Sequence, residues 1–121
     1  MFEIRLTFVP PGGGEVDYGL RMNVPAVPRA GDYISVRRER TDDSDEDYRG
    51  TEDFIVRRVW WSFTYPDDGR AYHEAGKDPV GSCTINVECE FAIGPYSSPA
   101  HKRGAGSNAR YPAKEFEETN Y

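Results

Sequence analysis

Cysteine and histidine are scarce in this 121-residue chain, with two of each: Cys83, Cys89, His73 and His101. Two cysteines cannot build the disulfide framework on which small secreted domains rely. They sit six positions apart on what reads as one strand, roughly 20 Å, too far to bond to each other. Four Cys and His donors suffice in number for zinc, but Cys-x5-Cys on one strand face fits no compact zinc knuckle. A Cys–His nucleophile pair needs an exposed thiol of lowered pKa, whereas both cysteines fall on an apolar face and both histidines in polar, loop-like stretches. No catalytic residue, metal ligand or cofactor site is therefore nominated. Long apolar runs are missing too: nothing approaches the roughly 20 residues that cross a bilayer. Residues 1–9 alternate charged and apolar side chains where a signal peptide would be basic and then apolar. The expectation is a cytoplasmic protein with free thiols and no membrane span.

Basic residues are the minority, 15 Lys and Arg against 21 Asp and Glu, for a net charge of -6. That sign is wrong for direct nucleic-acid binding, where Lys and Arg displace counterions from phosphates. The imbalance is local. Residues 42–53 hold seven acids (Asp42, Asp43, Asp45, Glu46, Asp47, Glu52 and Asp53) against Arg49 alone, and the rest of the chain carries fourteen charges of each sign. Such a block repels itself and favours a solvated loop. Presented to a partner, it is complementary to a basic surface and steers association from a distance. Asp43, Asp45 and Asp47 have the spacing of the first three ligands of an EF-hand. However, Tyr48 stands where the sharp turn needs glycine and Phe54 where a bidentate glutamate is needed, so no metal site is expected.

Aromatic residues are plentiful. At 13% they are too many for a fully disordered chain, despite a mean hydropathy of -0.75. The length leaves room for one domain with a modest core. Phe2, Ile4, Leu6 and Phe8 alternate with polar residues, and after Pro10-Pro11-Gly12-Gly13-Gly14 the alternation resumes at Val16, Tyr18, Leu20, Met22 and Val24, which reads as an antiparallel hairpin. The glycine tract lacks the Gly-Lys-Ser/Thr end of a phosphate-binding loop and serves the bend. Residues 33–38 form a third strand with Ile34 and Val36 inward. Residues 54–65 (FIVRRVWWSFTY) have the composition of a central strand, but strict alternation leaves both faces mixed, so either a bulge re-aims part of it or both sides are covered. Residues 80–93 place Cys83, Ile85, Val87, Cys89, Phe91 and Ile93 on one face and Glu88 and Glu90 on the other. From residue 94 onward no apolar period survives.

The reading is an all-β chain. Five or six antiparallel strands, of SH3-like or OB-like size, make a small barrel or sandwich over residues 1–93, with an acidic loop at 41–53 and an irregular extension at 94–121 that could dock through Tyr111, Phe116 or Tyr121. Its function is expected to be protein binding without catalysis. The contact set is Asp42, Asp43, Asp45, Glu46, Asp47 and Tyr48 with Arg57, Arg58, Trp60 and Trp61, because acids meet a basic surface and Trp, Tyr and Arg dominate interface hot spots. Adjacent in a strand, Trp60 and Trp61 must point to opposite faces. In size and sign the chain is similar to small phage or mobile-element anti-defence inhibitors, including some anti-CRISPRs, whose acidic surfaces stand in for phosphates. That comparison implies a partner protein with a nucleic-acid-binding surface. The alternatives are a ligand-binding or hydrolytic barrel with a pocket of Tyr33 and Trp60 or Trp61, and a structural subunit or homodimer assembled through strand edges.

Overall fold

In the computed structural model, residues 1–38, 51–67, 69–70, 74, 76–106 and 111–117 are described. The acidic residues Asp42, Asp43, Asp45, Glu46 and Asp47, together with Tyr48 and His73, lie outside the described residues. The elements are β1 (Phe2–Val9), β2 (Tyr18–Val24), β3 (Tyr33–Arg37), β4 (Thr51–Thr64), β5 (Ser82–Ile93), helix α1 (Pro99–Gly106) and β6 (Lys114–Glu115). One sheet in the order β2-β1-β5-β4-β3, with β6 on β5, curls into a half-barrel.

The all-β architecture is as expected. The sheet is mixed, however: β1–β2, β3–β4 and β4–β5 are antiparallel, while β1–β5 and β5–β6 are parallel. Side-chain alternation encodes which face is buried and carries no signal of strand direction, so strands far apart in sequence can pair either way. The antiparallel hairpin forms as expected, with a register that runs from Phe2 opposite Val24 to Phe8 opposite Tyr18. Its bend needs glycine twice over. Gly12 and Gly13 have φ of 84° and 97°, and a Cβ on Gly12 would run into the Tyr111 ring.

A bulge at Arg57 settles the mixed faces of β4. Val56 pairs with Cys89 and Arg58 with Glu88, leaving Arg57 as the extra residue. Phe54 and Val56 face the core before it; Val59, Trp61 and Phe63 take that face after it. All five oppose the apolar residues of β5, from Phe91 to Cys83. The core joins Ile4, Leu6 and Phe8 to Phe54, Val56, Val87, Cys89 and Phe91. Phe8 stacks on Phe54 at 3.9 Å between centroids, and Phe54 meets Phe91 edge-on at 5.2 Å.

Two devices finish the half-barrel. The edge strands are bridged by side chains: the Tyr18 hydroxyl donates to Glu52 Oε1 at 2.8 Å, and Arg38 Nε to Glu52 Oε2 at 2.9 Å. Burial, and then the Glu52 carboxylate, push the Tyr18 hydroxyl well above its ordinary pKa. The other device is α1, where the sequence suggests irregular chain. Ser98 Oγ accepts from His101 N at 3.1 Å as the N-cap, with Pro99 in the first turn. Gly104 and Gly106 weaken the helix signal, and packing of Ala105 and His101 on the core supplies what propensity lacks.

Candidate functional site

Two surfaces flank the β4–β5 pair, and the bulge creates both. Because Arg57 is the extra residue, both guanidinium groups reach the outer face of β5. Arg57 Nε lies 3.3 Å and Arg58 Nε 2.9 Å from Glu88 Oε2, and Arg57 Nη1 lies 3.8 Å from Glu90 Oε2. Alternation predicts Glu88 and Glu90 in water, yet both are buried, Glu90 to 2% exposure. Glu88 is held by the two arginines, and the cover over Glu90 comes from the C-terminal segment. Tyr111 packs on Gly12, Lys114 Nζ meets Glu90 Oε1 at 2.8 Å as a charge contact outside good hydrogen-bond alignment, and Phe116 stacks on Tyr33 at 4.4 Å. Gly12 N also donates to Glu90 Oε2 at 3.0 Å. A buried carboxylate is tolerable only with such partners. Glu90 thus ties the hairpin bend, the bulge and the tail together. Beside it a groove of about 580 Å³ is lined by Gly12, Gly31, Ile55, Arg57, Glu90 and Tyr111 among others.

Trp60 and Trp61 diverge as strand geometry requires, and both remain in contact with water, at 43% and 49% exposure. Trp60 lies under the Arg58 guanidinium at 4.6 Å, so Arg57, Arg58 and Trp60 are gathered on one face. Trp61 is on the other, 6.5 Å from Phe63 in a stacked pair, with Cys83 opposite Phe63. Cys83 and Cys89 are both free thiols, as expected; Cys83 is exposed, and burial together with the Glu88 charge pushes the Cys89 thiol up to about 12. Tyr33 is engaged with Phe116 and takes no part in a pocket with either tryptophan in the two clefts described.

At the opposite end of β4, two acids of the acidic block are bound internally. Glu52 holds Tyr18 and Arg38. Asp53, 2% exposed, accepts from Ser35 Oγ at 2.6 Å, Ser97 Oγ at 2.5 Å and Thr51 Oγ1 at 3.2 Å. Beside it His101, expected in a surface loop, is buried: its ring stacks on Phe91, and Nε2 lies 2.8 Å from the Ala92 carbonyl oxygen and 2.9 Å from that of Asp53. Ser97, Asp53 and His101 are neighbours without forming a relay, because the imidazole is turned to backbone carbonyls and not to a hydroxyl. The sequence signal for this knot is Ser98-Pro99, a capping pair ahead of His101. Among the described residues no group of His, Cys, Asp and Glu is arranged to hold a metal ion, and no helix is long and apolar enough to cross a membrane. Comparison with protein families, curated proteins and solved structures finds no match.

Proposed function

We propose that this chain is a non-catalytic protein-binding module that presents an acidic loop to a basic surface on its partner. The observation that carries the reading is charge placement. With Glu52 and Asp53 spent inside the fold, the five acids Asp42, Asp43, Asp45, Glu46 and Asp47 remain, within six consecutive positions of the sequence. The residues that flank this stretch are paired in the sheet, Arg37 with Thr51. A stretch of like charges tethered at both ends loses less entropy on docking than a free tail, and its field steers encounter with a positive patch. In its most concrete form the module is a small cytoplasmic inhibitor that occupies a nucleic-acid-binding surface, of the phage or mobile-element anti-defence kind, with Arg58 and Trp60 adding a contact beyond the loop.

The test is capture from the native host followed by a salt titration of the isolated pair. The expected result is affinity that falls steeply with ionic strength. It drops by at least tenfold when the five acids are changed together to Asn and Gln, and nucleic acid competes for the partner. Affinity indifferent to salt and to the neutralised loop would sink the reading.

A further inference from the structure

Past Trp60 and its partner Asn86, where β1 ends its pairing with β5 at Arg5, β4 and β5 leave the half-barrel as a two-stranded ribbon. β3 ends its pairing with β4 at Ile55, Gly31 and Asp32 bond to Val56, and among the described residues nothing pairs with the outer edge of β4 from Arg58 to Thr64. An unpaired edge is a template for another strand, and soluble proteins blunt such edges with Lys, Pro, inward charges or bulges. Here the run from residue 59 to 64, Val-Trp-Trp-Ser-Phe-Thr, carries none of these. It is uncharged, free of Pro and Gly, and dominated by aromatic and β-branched residues, the composition most prone to add strands. The apolar face of the ribbon continues the core face outward, but Trp61 and Phe63 lie beyond the other strands, and Phe63 is 75% exposed.

We infer that the occupant of this edge is a second copy of the same chain, paired antiparallel along β4 about a two-fold axis at Trp61. The sequence is self-complementary in that register. Trp61 meets Trp61, Trp60 meets Ser62, Val59 meets Phe63 and Arg58 meets Thr64, so no like charges oppose each other. Every pair joins residues of the same face, because a two-fold axis through a residue preserves the alternation. A symmetric contact of this kind closes on itself and ends at the dimer. The area is adequate. Trp60, Trp61, Phe63 and Tyr65, at 43%, 49%, 75% and 56% exposure, leave on the order of 450 Å² of ring surface in water. Were all of it covered in both copies, with the backbone edge and adjoining side chains added, the contact would reach roughly 1,200 Å², the lower bound of specific interfaces. The pairing lies at the opposite end of β4 from Thr51, to which the acidic stretch connects in sequence, and is independent of what that stretch binds.

Sedimentation equilibrium from about 5 µM to about 1 mM tests it, a range set for an interface of that size. The expected weight-average mass rises from 13.7 kDa toward twice that value, and Trp61→Lys, which puts two ammonium groups on the axis, holds the monomer mass. Its circular dichroism should match the parent, since the replaced ring is half in water. In a Cys83→Ser background, Trp61→Cys should form an intermolecular disulfide on mild oxidation, because facing residues in an antiparallel pair lie within disulfide reach. A chain that stays monomeric at 1 mM overturns the inference. So does a dimer that Trp61→Lys leaves intact, as when copies meet elsewhere, or one that Trp61→Cys cannot cross-link, as when the edge accepts a different register.

Discussion

The two halves of β4 both carry β-branched and aromatic residues that favour a strand, and they have opposite fates. From Asp53 to Ile55 the strand is paired on both edges, by β3 and β5, and Phe54 is completely buried. From Arg58 to Thr64 it keeps β5 alone, and the side chains on the same apolar face, Trp61 and Phe63, stand in water. Local preference for the extended state is satisfied in both halves. Burial is a property of neighbours, and what separates the halves is the number of strands and covering segments that reach them. A single residue, Arg57, sits at the divide and turns the face that each half shows to the core.

The largest expected contrast is between the two phenylalanines. Phe54→Ala removes a ring stacked on Phe8 and edge-on to Phe91, and should cost about 3–5 kcal/mol in urea unfolding. Phe63→Ala, measured at low micromolar concentration, should stay within about 0.5 kcal/mol. Equal losses would mean that the ribbon is packed like the root. A smaller effect is expected at Glu90, which holds the tail over the outer face of the root. Glu90→Gln keeps the shape but removes the charge that faces Lys114 and Arg57, and should cost roughly 1.5–3 kcal/mol. Hydrogen exchange should then show the Phe116 amide, bonded to the Ile93 carbonyl at 2.8 Å, losing protection before the β1–β2 hairpin does. An unchanged exchange rate at Phe116 would mean that the tail is held by Tyr111 and Phe116 packing instead.

The subtlest contrast uses the two cysteines, which share one strand and one face. At pH 8 a disulfide reagent should label one thiol per native chain, Cys83 on the ribbon, and two after denaturation. Cys89 is protonated in the fold, its pKa raised by burial from near 9 to about 12. A raised thiol pKa stabilises the fold fully below pH 9 and progressively less as pH climbs toward 12, because the unfolded chain releases that proton first. Rapid labelling of both thiols at neutral pH would show the root opening as readily as the ribbon.

Much of the fold is legible in the residues. The hairpin from Phe2 to Val24 follows from uninterrupted alternation on either side of a glycine-rich bend, and the break in alternation within β4 already hints at a bulge. Glu88 and Glu90 mislead, because a polar residue on the outer face of a strand is normally solvated, whereas here two arginines brought together by the bulge meet Glu88 and a tail with no period of its own reaches Glu90. The buried His101 is hidden for a related reason: two glycines weaken the helix that carries it into the core. Of the proposed contact residues, Arg57, Arg58 and Trp60 come together because the bulge turns them to one side, and Trp61 is separated from them by the pleat.

What the amino-acid order determined alone is the five long strands, the faces they offer to a core and the concentration of acidic charge in one short stretch, since these depend on neighbours along the chain. What only the tertiary structure decided is the parallel placement of β1 and β6 beside β5, the sealing of Glu90 beneath the tail and the bare ribbon. Each of those depends on which distant segment arrives at a given edge or face, a choice made by the combined packing free energy of the whole sheet and not written in any one stretch.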